Sequence, residues 1–198
     1  MVISVASFKG GVGKTTTAVH LAAYLQQNAP TLLLDADQTK NATAWSQRGS
    51  GFPFRVAGVG QAAKLAKDYT HIVIDTGQRP TMDDLKAAAE DCDLLVIPAV
   101  PASLDTDGLG QTLRALQTIG ATGYKVLLTK VPPYAAKEAT ELRELLAEMK
   151  ASVFKSEIPR LTAFEKAATH GQIVNQVDDR NAARAWETYA AAAKEIKL

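Results

Sequence analysis

Two lysines, three glycines and two threonines fall within eight positions of this chain, Lys9-Gly10-Gly11-Val12-Gly13-Lys14-Thr15-Thr16. Without a Cβ at Gly10, Gly11 and Gly13, the backbone can curl until consecutive N–H groups converge on one anion. An apolar run, residues 2–6, precedes the loop, and a helix-like run, residues 17–27, follows it. An anion held at the start of that helix also gains from the helix dipole. Lys14 can then reach the outer phosphates of a nucleoside triphosphate, and the Thr15 hydroxyl can ligate Mg²⁺. The stretch predicts a nucleotide site. Its plainer reading, a glycine turn with two solvated lysines, leaves the flanking strand and helix unexplained.

Carboxylates recur where a bound metal would need them. The unbroken apolar run at residues 31–34 ends in Asp35-Ala36-Asp37, and a second at residues 72–74 ends in Asp75. Continuous rather than alternating hydrophobicity is expected of parallel strands covered on both faces. The C-terminal ends of such strands open on the crevice where α/β sheets bind ligands. Asp75 there can hold the water shell of Mg²⁺ across from the loop, because that cation takes hard oxygen ligands.

The elements that must position these residues alternate along the chain. Strands are predicted at residues 2–6, 31–34, 54–57, 71–75, 93–98, 124–130 and 153–158, and helices at 17–27, 41–46, 61–67, 81–90, 107–119 and 136–149. An alanine-rich helix closes the sequence at residues 178–198, its stripe formed by Ala182, Ala185, Trp186, Tyr189, Ala193 and Ile196. His20 and Trp45 read as packing residues. The pattern predicts one α/β domain over residues 1–198, a doubly wound, mostly parallel sheet of the P-loop kind with helices on both faces. At 198 residues and 46% hydrophobic content a substantial core is available. A net charge of +1 gives no global basic field, so any nucleic-acid surface must be a local patch. One cysteine, Cys92, excludes an internal disulfide and a cysteine-based zinc site. With no signal-like segment and no apolar run of membrane-spanning length, the expected location is the cytoplasm.

The loop departs from the strict G-x-x-x-x-G-K-[ST] pattern, because Phe8 stands five positions before Gly13 and Lys9 follows it. Lys-Gly-Gly-x-Gly-Lys-Thr-Thr resembles the deviant Walker A loop of the ParA/MinD family of ATPases. Residues 98–105, with Pro98 and Pro101, resemble the loop of small plasmid-partition ParA proteins of the ParF type. The resemblance implies ATP and Mg²⁺ as cofactors, with Lys9, Lys14 and Asp37 as the catalytic residues. Lys9 would cross to the nucleotide of a second subunit, and Asp37 would orient the attacking water. Thr15, Asp35 and Asp75 would lie at the metal. Nucleotide contacts would come from Lys9, Gly10, Gly11, Val12, Gly13, Lys14, Thr15 and Thr16, with Lys130, Ile158, Pro159 and Arg160 on the adenine side. Against the family's D-x-D-P-Q-x-N motif this chain has Gln38 and Thr39 in place of proline and glutamine, which bears on the hydrolysis rate. Against D-x-P-P it has Asp75-Thr76-Gly77-Gln78, with Gly77 a candidate backbone donor to the γ-phosphate.

The resemblance further implies a weak, Mg-dependent ATPase stimulated by a ParB-like or cargo-adaptor partner. Its ATP-bound homodimer, formed through residues 98–119, would bind non-specific DNA and associate with the nucleoid; the cargo could be a plasmid, a chromosome region or a protein body such as a carboxysome. Candidate DNA contacts are Arg143, Lys150, Lys155, Lys166, Arg180, Arg184, Lys194 and Lys197, each of which also reads as an ordinary solvated charge. A MinD-like membrane ATPase would want bulky apolar residues opposite lysines in the last helix, so no membrane partner is expected. A P-loop amide synthetase or ligase is the remaining alternative. One cysteine per chain cannot build the four-thiolate cluster of the nitrogenase iron protein.

Overall fold

Apolar runs that need cover on both faces assemble into one central sheet in a computed structural model of the chain, which describes residues 1–77, 80–101, 106–134 and 136–196. The strands are β1 (Val2–Val5), β2 (Thr31–Asp35), β3 (Arg55–Gly58), β4 (His71–Asp75), β5 (Leu94–Ala99), β6 (Tyr124–Val131) and β7 (Val153–Pro159). They lie in the order β3-β2-β4-β1-β5-β6-β7. The sheet was expected to be mostly parallel; all of its described pairings are parallel. Between the strands run α1 (Lys14–Leu25), α2 (Asn41–Ser46), α3 (Ala62–Leu65), α4 (Met82–Glu90), α5 (Thr106–Thr118), α6 (Ala136–Glu148), α7 (Thr162–His170) and α8 (Ala182–Lys194).

Successive side chains of a strand point to opposite faces, so each central strand feeds two cores. Val126 and Leu128 of β6 join Leu113, Leu116, Leu142 and Leu146 of α5 and α6 on one side. Leu127 joins Val19, Phe154, Ala185 and Tyr189 on the other, with α1, α7 and α8. In this register Asp75 lies level with both Val5 and Asp35. The loops leaving β1, β2 and β4 therefore meet at one end of the sheet.

Some boundaries differ from expectation. Helix α7 was not anticipated, because its apolar face is marked only by Ala163, Phe164, Ala167 and Ala168 and no side chain caps its start. Helix α8 begins at Ala182 rather than at residue 178. A turn precedes it, in which Asp179 accepts from the Asn181 N–H at 2.9 Å and pairs with Lys166 at 2.7 Å. Around α3 the expected helical stretch is broken by 3₁₀ turns at Val59–Gln61 and Ala66–Asp68.

The last strand is an edge, and its exposed backbone is managed by the last helix. Val126 opposes Val153 while Leu128 opposes Glu157, so β7 bulges between these pairs. The N–H groups of Lys155 and Ser156, freed by the bulge, donate to the Glu195 carboxylate at 2.8 and 2.7 Å. Lys125 lies 3.5 Å from the same carboxylate and 4.6 Å from the centre of the Phe154 ring. Partial burial pushes the Glu195 carboxyl up, but these donors outweigh it and hold it below its ordinary value. A carboxyl so depressed stabilises the fold above its unfolded pKa and ceases to as pH falls through the folded one. Glu195→Ala should therefore cost about 2 kcal/mol in urea unfolding at pH 7, and the difference from wild type should shrink on acidification. Equal stabilities at pH 7 would refute the capping role.

Candidate nucleotide-binding site

After β1 the chain turns through residues 6–13 and enters α1 at Lys14. Gly11 (φ 76°) and Gly13 (φ 90°) take left-handed conformations that a side chain would oppose. Gly13 is the N-cap of α1 and offers no side-chain acceptor, so the helix presents its first N–H groups without a side-chain cap. Such an end favours an anion. The loop's carbonyls are already engaged: Lys14 Nζ donates to Lys9 O at 3.1 Å, Lys130 Nζ to Gly11 O at 2.6 Å and the Thr129 hydroxyl to Val12 O at 2.7 Å.

Asp75 has no solvent exposure, and neither carboxylate oxygen makes a hydrogen bond among the described residues. Burial pushes its carboxyl up to about 7; the Thr15 hydroxyl and Lys14 oppose the rise, and Asp35 and Asp37 add to it. Burial likewise lowers the Lys14 ammonium, which Asp75 and Asp37 partly offset. An unsatisfied buried carboxylate near a threonine hydroxyl fits a hard divalent cation such as Mg²⁺. Asp35 was expected near that metal, but its carboxylate already accepts from Asp37 N at 3.2 Å and from Thr43 N and Oγ1 at 2.9 and 2.7 Å. These bonds anchor the start of α2, and the carboxylate oxygens without a hydrogen bond are those of Asp75.

Asp37 is 4% exposed, and its Oδ1 accepts from both Thr39 N (2.8 Å) and Thr39 Oγ1 (2.7 Å). Asn41 Nδ2 donates to that same hydroxyl at 2.7 Å. The threonine that stands in the place of the family's glutamine thus pins the aspartate. Gly77 packs under this turn, where an added Cβ would lie 3.8 Å from the Asp37 Cα. Gln78 lies outside the described residues.

Two adjoining cavities share Gly11, Gly13, Thr16, Lys130 and Ala168. The one nearer the loop, about 280 Å³, is lined by Lys14, Thr15, Asp37, Asn41 and also Arg48. The other, about 460 Å³, is lined by the predicted Lys130, Ile158, Pro159 and Arg160 together with Phe164 and Tyr189. Sequence reading missed Arg48, Phe164 and Tyr189, which reach the site from other elements. Only the apolar stripe of the last helix pointed to Tyr189, and it suggested packing. The Tyr189 hydroxyl lies 3.1 Å from Thr17 Oγ1, and its ring stacks on His20 at 4.9 Å. His20 is fully buried, donating from Nδ1 to Thr16 O (2.7 Å) and accepting at Nε2 from Val174 N (3.2 Å). Burial lowers it to about 4.

Lys9 does not line either cavity; its stem lies along Gly108 of α5, where an added Cβ would be 3.1 Å from the Lys9 Cβ. Of the loop after β5, Val100 and Pro101 line the larger cavity, whereas residues 102–105 lie outside the described residues. Among the candidate DNA contacts, Arg143 donates to Phe154 O and Lys155 O and approaches Glu157, and Lys166 pairs with Asp179. Lys150, Lys155, Arg180, Arg184 and Lys194 are exposed; Lys197 lies outside the described residues.

Residues 3–185 match the model of the CobQ/CobB/MinD/ParA nucleotide-binding domain. The chain belongs to this family. It is 36% identical to the maintenance of carboxysome distribution protein A of Gloeobacter kilaueensis, over 98% of this chain and 93% of that protein. The chromosome partitioning protein ParA of Caulobacter vibrioides is 32% identical over 67% of this chain and 48% of its own length. The fold matches solved structures of a Cyanothece McdA–ATP complex (TM-score 0.74, 19% identity, 100% and 97% coverage) and of the Aquifex aeolicus cell division protein MinD (0.76, 18%, 100% and 98%).

Two of the buried titrating groups, Asp75 and His20, oppose each other. Asp75 rises from 3.8 to about 7 on folding, so its contribution to stability falls as pH increases through that window. His20 drops from 6.5 to about 4, so its contribution rises with pH from 4 to 6.5. In the nucleotide-free protein the two slopes have opposite signs between about pH 4 and 6.5. Asp75→Asn should unmask the histidine slope and be more stable than wild type at pH 8, by on the order of 2 kcal/mol. Urea unfolding at pH 4.5, 6.5 and 8 reads this; superimposable pH profiles would contradict it.

Proposed function

We propose that this protein is a ParA-type positioning ATPase whose ATP-bound dimer binds DNA without sequence preference and is released when a partner protein stimulates hydrolysis. The observation that carries the reading is the division of labour between the two lysines. Lys14 is buried next to Asp75 at the start of α1, whereas the stem of Lys9 follows α5, outside its own phosphate cavity. A cation so placed suits the nucleotide of a second copy, which would make ATP part of the dimer interface. The kinship with carboxysome-distribution and chromosome-partition proteins supports the same reading.

For hydrolysis, the transferring phosphoryl group needs positive charge and a positioned water. Lys14 and the N–H groups at the start of α1 would stabilise the phosphate oxygens, and Asp37, fixed by Thr39, would orient the water. Thr15 and Asp75, with Asp35 nearby, would hold Mg²⁺, which would supply charge neutralisation. Ile158, Pro159, Arg160 and Lys130 would hold the nucleoside.

A near-neutral monomer can still bind DNA if dimerisation doubles a weak basic patch. Lys150, Lys155, Arg180, Arg184 and Lys194 are the exposed candidates, with Arg143 and Lys166 engaged internally. Membrane attachment through α8 is disfavoured because Ala185, Tyr189, Ala192 and Ala193 are buried against the domain. No helix of the described residues is long and apolar enough to cross a membrane. One observation favours the synthetase alternative, a further cavity of about 740 Å³ beside Asp37, Gly77 and α4.

Fluorescence anisotropy with a non-specific DNA duplex, without nucleotide and with ADP, ATP or a non-hydrolysable analogue, decides between them. Binding is expected only with triphosphate, weakened by salt, and at least tenfold weaker in Lys9→Ala. ATP binding with no DNA binding in any state would reject the partition reading and turn attention to the larger cavity.

A further inference from the structure

The chain leaving α2 is clasped to α7 at three points. Trp45 Nε1 donates to Gln172 O at 3.0 Å, and Arg48 Nη1 donates to Ala168 O at 2.9 Å. Between them Gly49 packs on Gly171, which closes α7 at φ 66°, so closely that a methyl group on either would collide with the other's backbone. This clasp sets Arg48 in the wall of the smaller cavity, beside Lys14, Lys130 and Asp37. Three cations and one carboxylate make that wall strongly attractive to a polyanion.

The three cations also share a hydrogen-bonding pattern. Each donates to a main-chain carbonyl: Lys14 to Lys9, Lys130 to Gly11 and Arg48 to Ala168. A neutral carbonyl is a weaker partner for a guanidinium than a phosphate oxygen. The Arg48 guanidinium makes no other hydrogen bond or ion pair among the described residues, and a guanidinium carries five donors. Nothing in the loop motif calls for this arginine.

We propose that Arg48 is a phosphate-binding residue of the nucleotide site, presented by the α2–α7 clasp. This rests on reading the two adjoining cavities as one nucleotide site. Because Arg48 follows α2 while Asp37 and its turn precede it, the contact ties phosphate occupancy to the element that carries the water-orienting carboxylate.

The test measures ATP binding, and adenosine binding by displacement of a fluorescent nucleotide, for wild type, Arg48→Gln, Arg48→Lys and Trp45→Phe, with the melting temperature of each nucleotide-free protein. Arg48→Gln should weaken ATP roughly tenfold or more while leaving adenosine within twofold, and Arg48→Lys should recover part of the loss. Trp45→Phe, which removes a clasp bond and leaves the Arg48 charge in place, should lower the melting temperature and reduce the ATP-to-adenosine ratio by less than Arg48→Gln does. An unchanged ratio in Arg48→Gln, or equal losses of both ligands, overturns the proposal. Failure of the wild-type protein to bind ATP would instead reject the nucleotide-site reading itself, and the proposal with it.

Discussion

A carboxylate with no exposure and no hydrogen bond among the described residues stands at the end of β4, and its neighbours are arranged around what that costs. An isolated buried charge is expensive enough that the group holds its proton instead, hence the raised value of Asp75. Lys14 moderates the cost but is itself buried and lowered. Neither group stabilises the fold in this state. Their placement is intelligible as preorganisation: donors and acceptors fixed before charge arrives need no rearrangement when it does.

What fixes them is the register of the sheet. Parallel pairing places Val5, Asp35 and Asp75 at one level, so three loops of different chemistry begin together. The glycine loop is further backed from the other face of α1, where His20 and Thr17 engage Val174 and Tyr189 from the C-terminal quarter of the chain. A neutral histidine bonded through both nitrogens and stacked on a tyrosine is a rigid support. The same contacts consume the apolar face of α8, so the helix that could have served as a tail forms part of the site's foundation.

Those relations explain what the sequence disclosed. Strands β2, β4 and β5 were readable because burial on both faces demands continuous apolar runs, and the loop because its chemistry is contiguous. Helix α7 escaped because its buried face is made of small residues spaced among polar ones. Arg48, Phe164 and Tyr189 escaped for a different reason: each stands on its own element, and only the docking of α2, α7 and α8 brings them to the cavity rim. The hydrogen bonds of Asp35 could not be read from its spacing, since they depend on where the Thr43 N–H and hydroxyl point.

The departures at residues 38 and 39 acquire a physical meaning in this setting. Proline at position 38 would restrict its own φ and bias the residue before it away from the helical region; Gln38 removes both constraints. Thr39 replaces that covalent restraint with two hydrogen bonds onto one oxygen of Asp37, and Lys40 closes the turn from a left-handed conformation at φ 53°. The far end of α2 is meanwhile held to α7 by Trp45 and Arg48. The few residues between Asp35 and α2 are thus held by polar contacts rather than by a proline ring. On the proposed reading, the two donors fix Oδ1 in place and leave Oδ2 to orient a water.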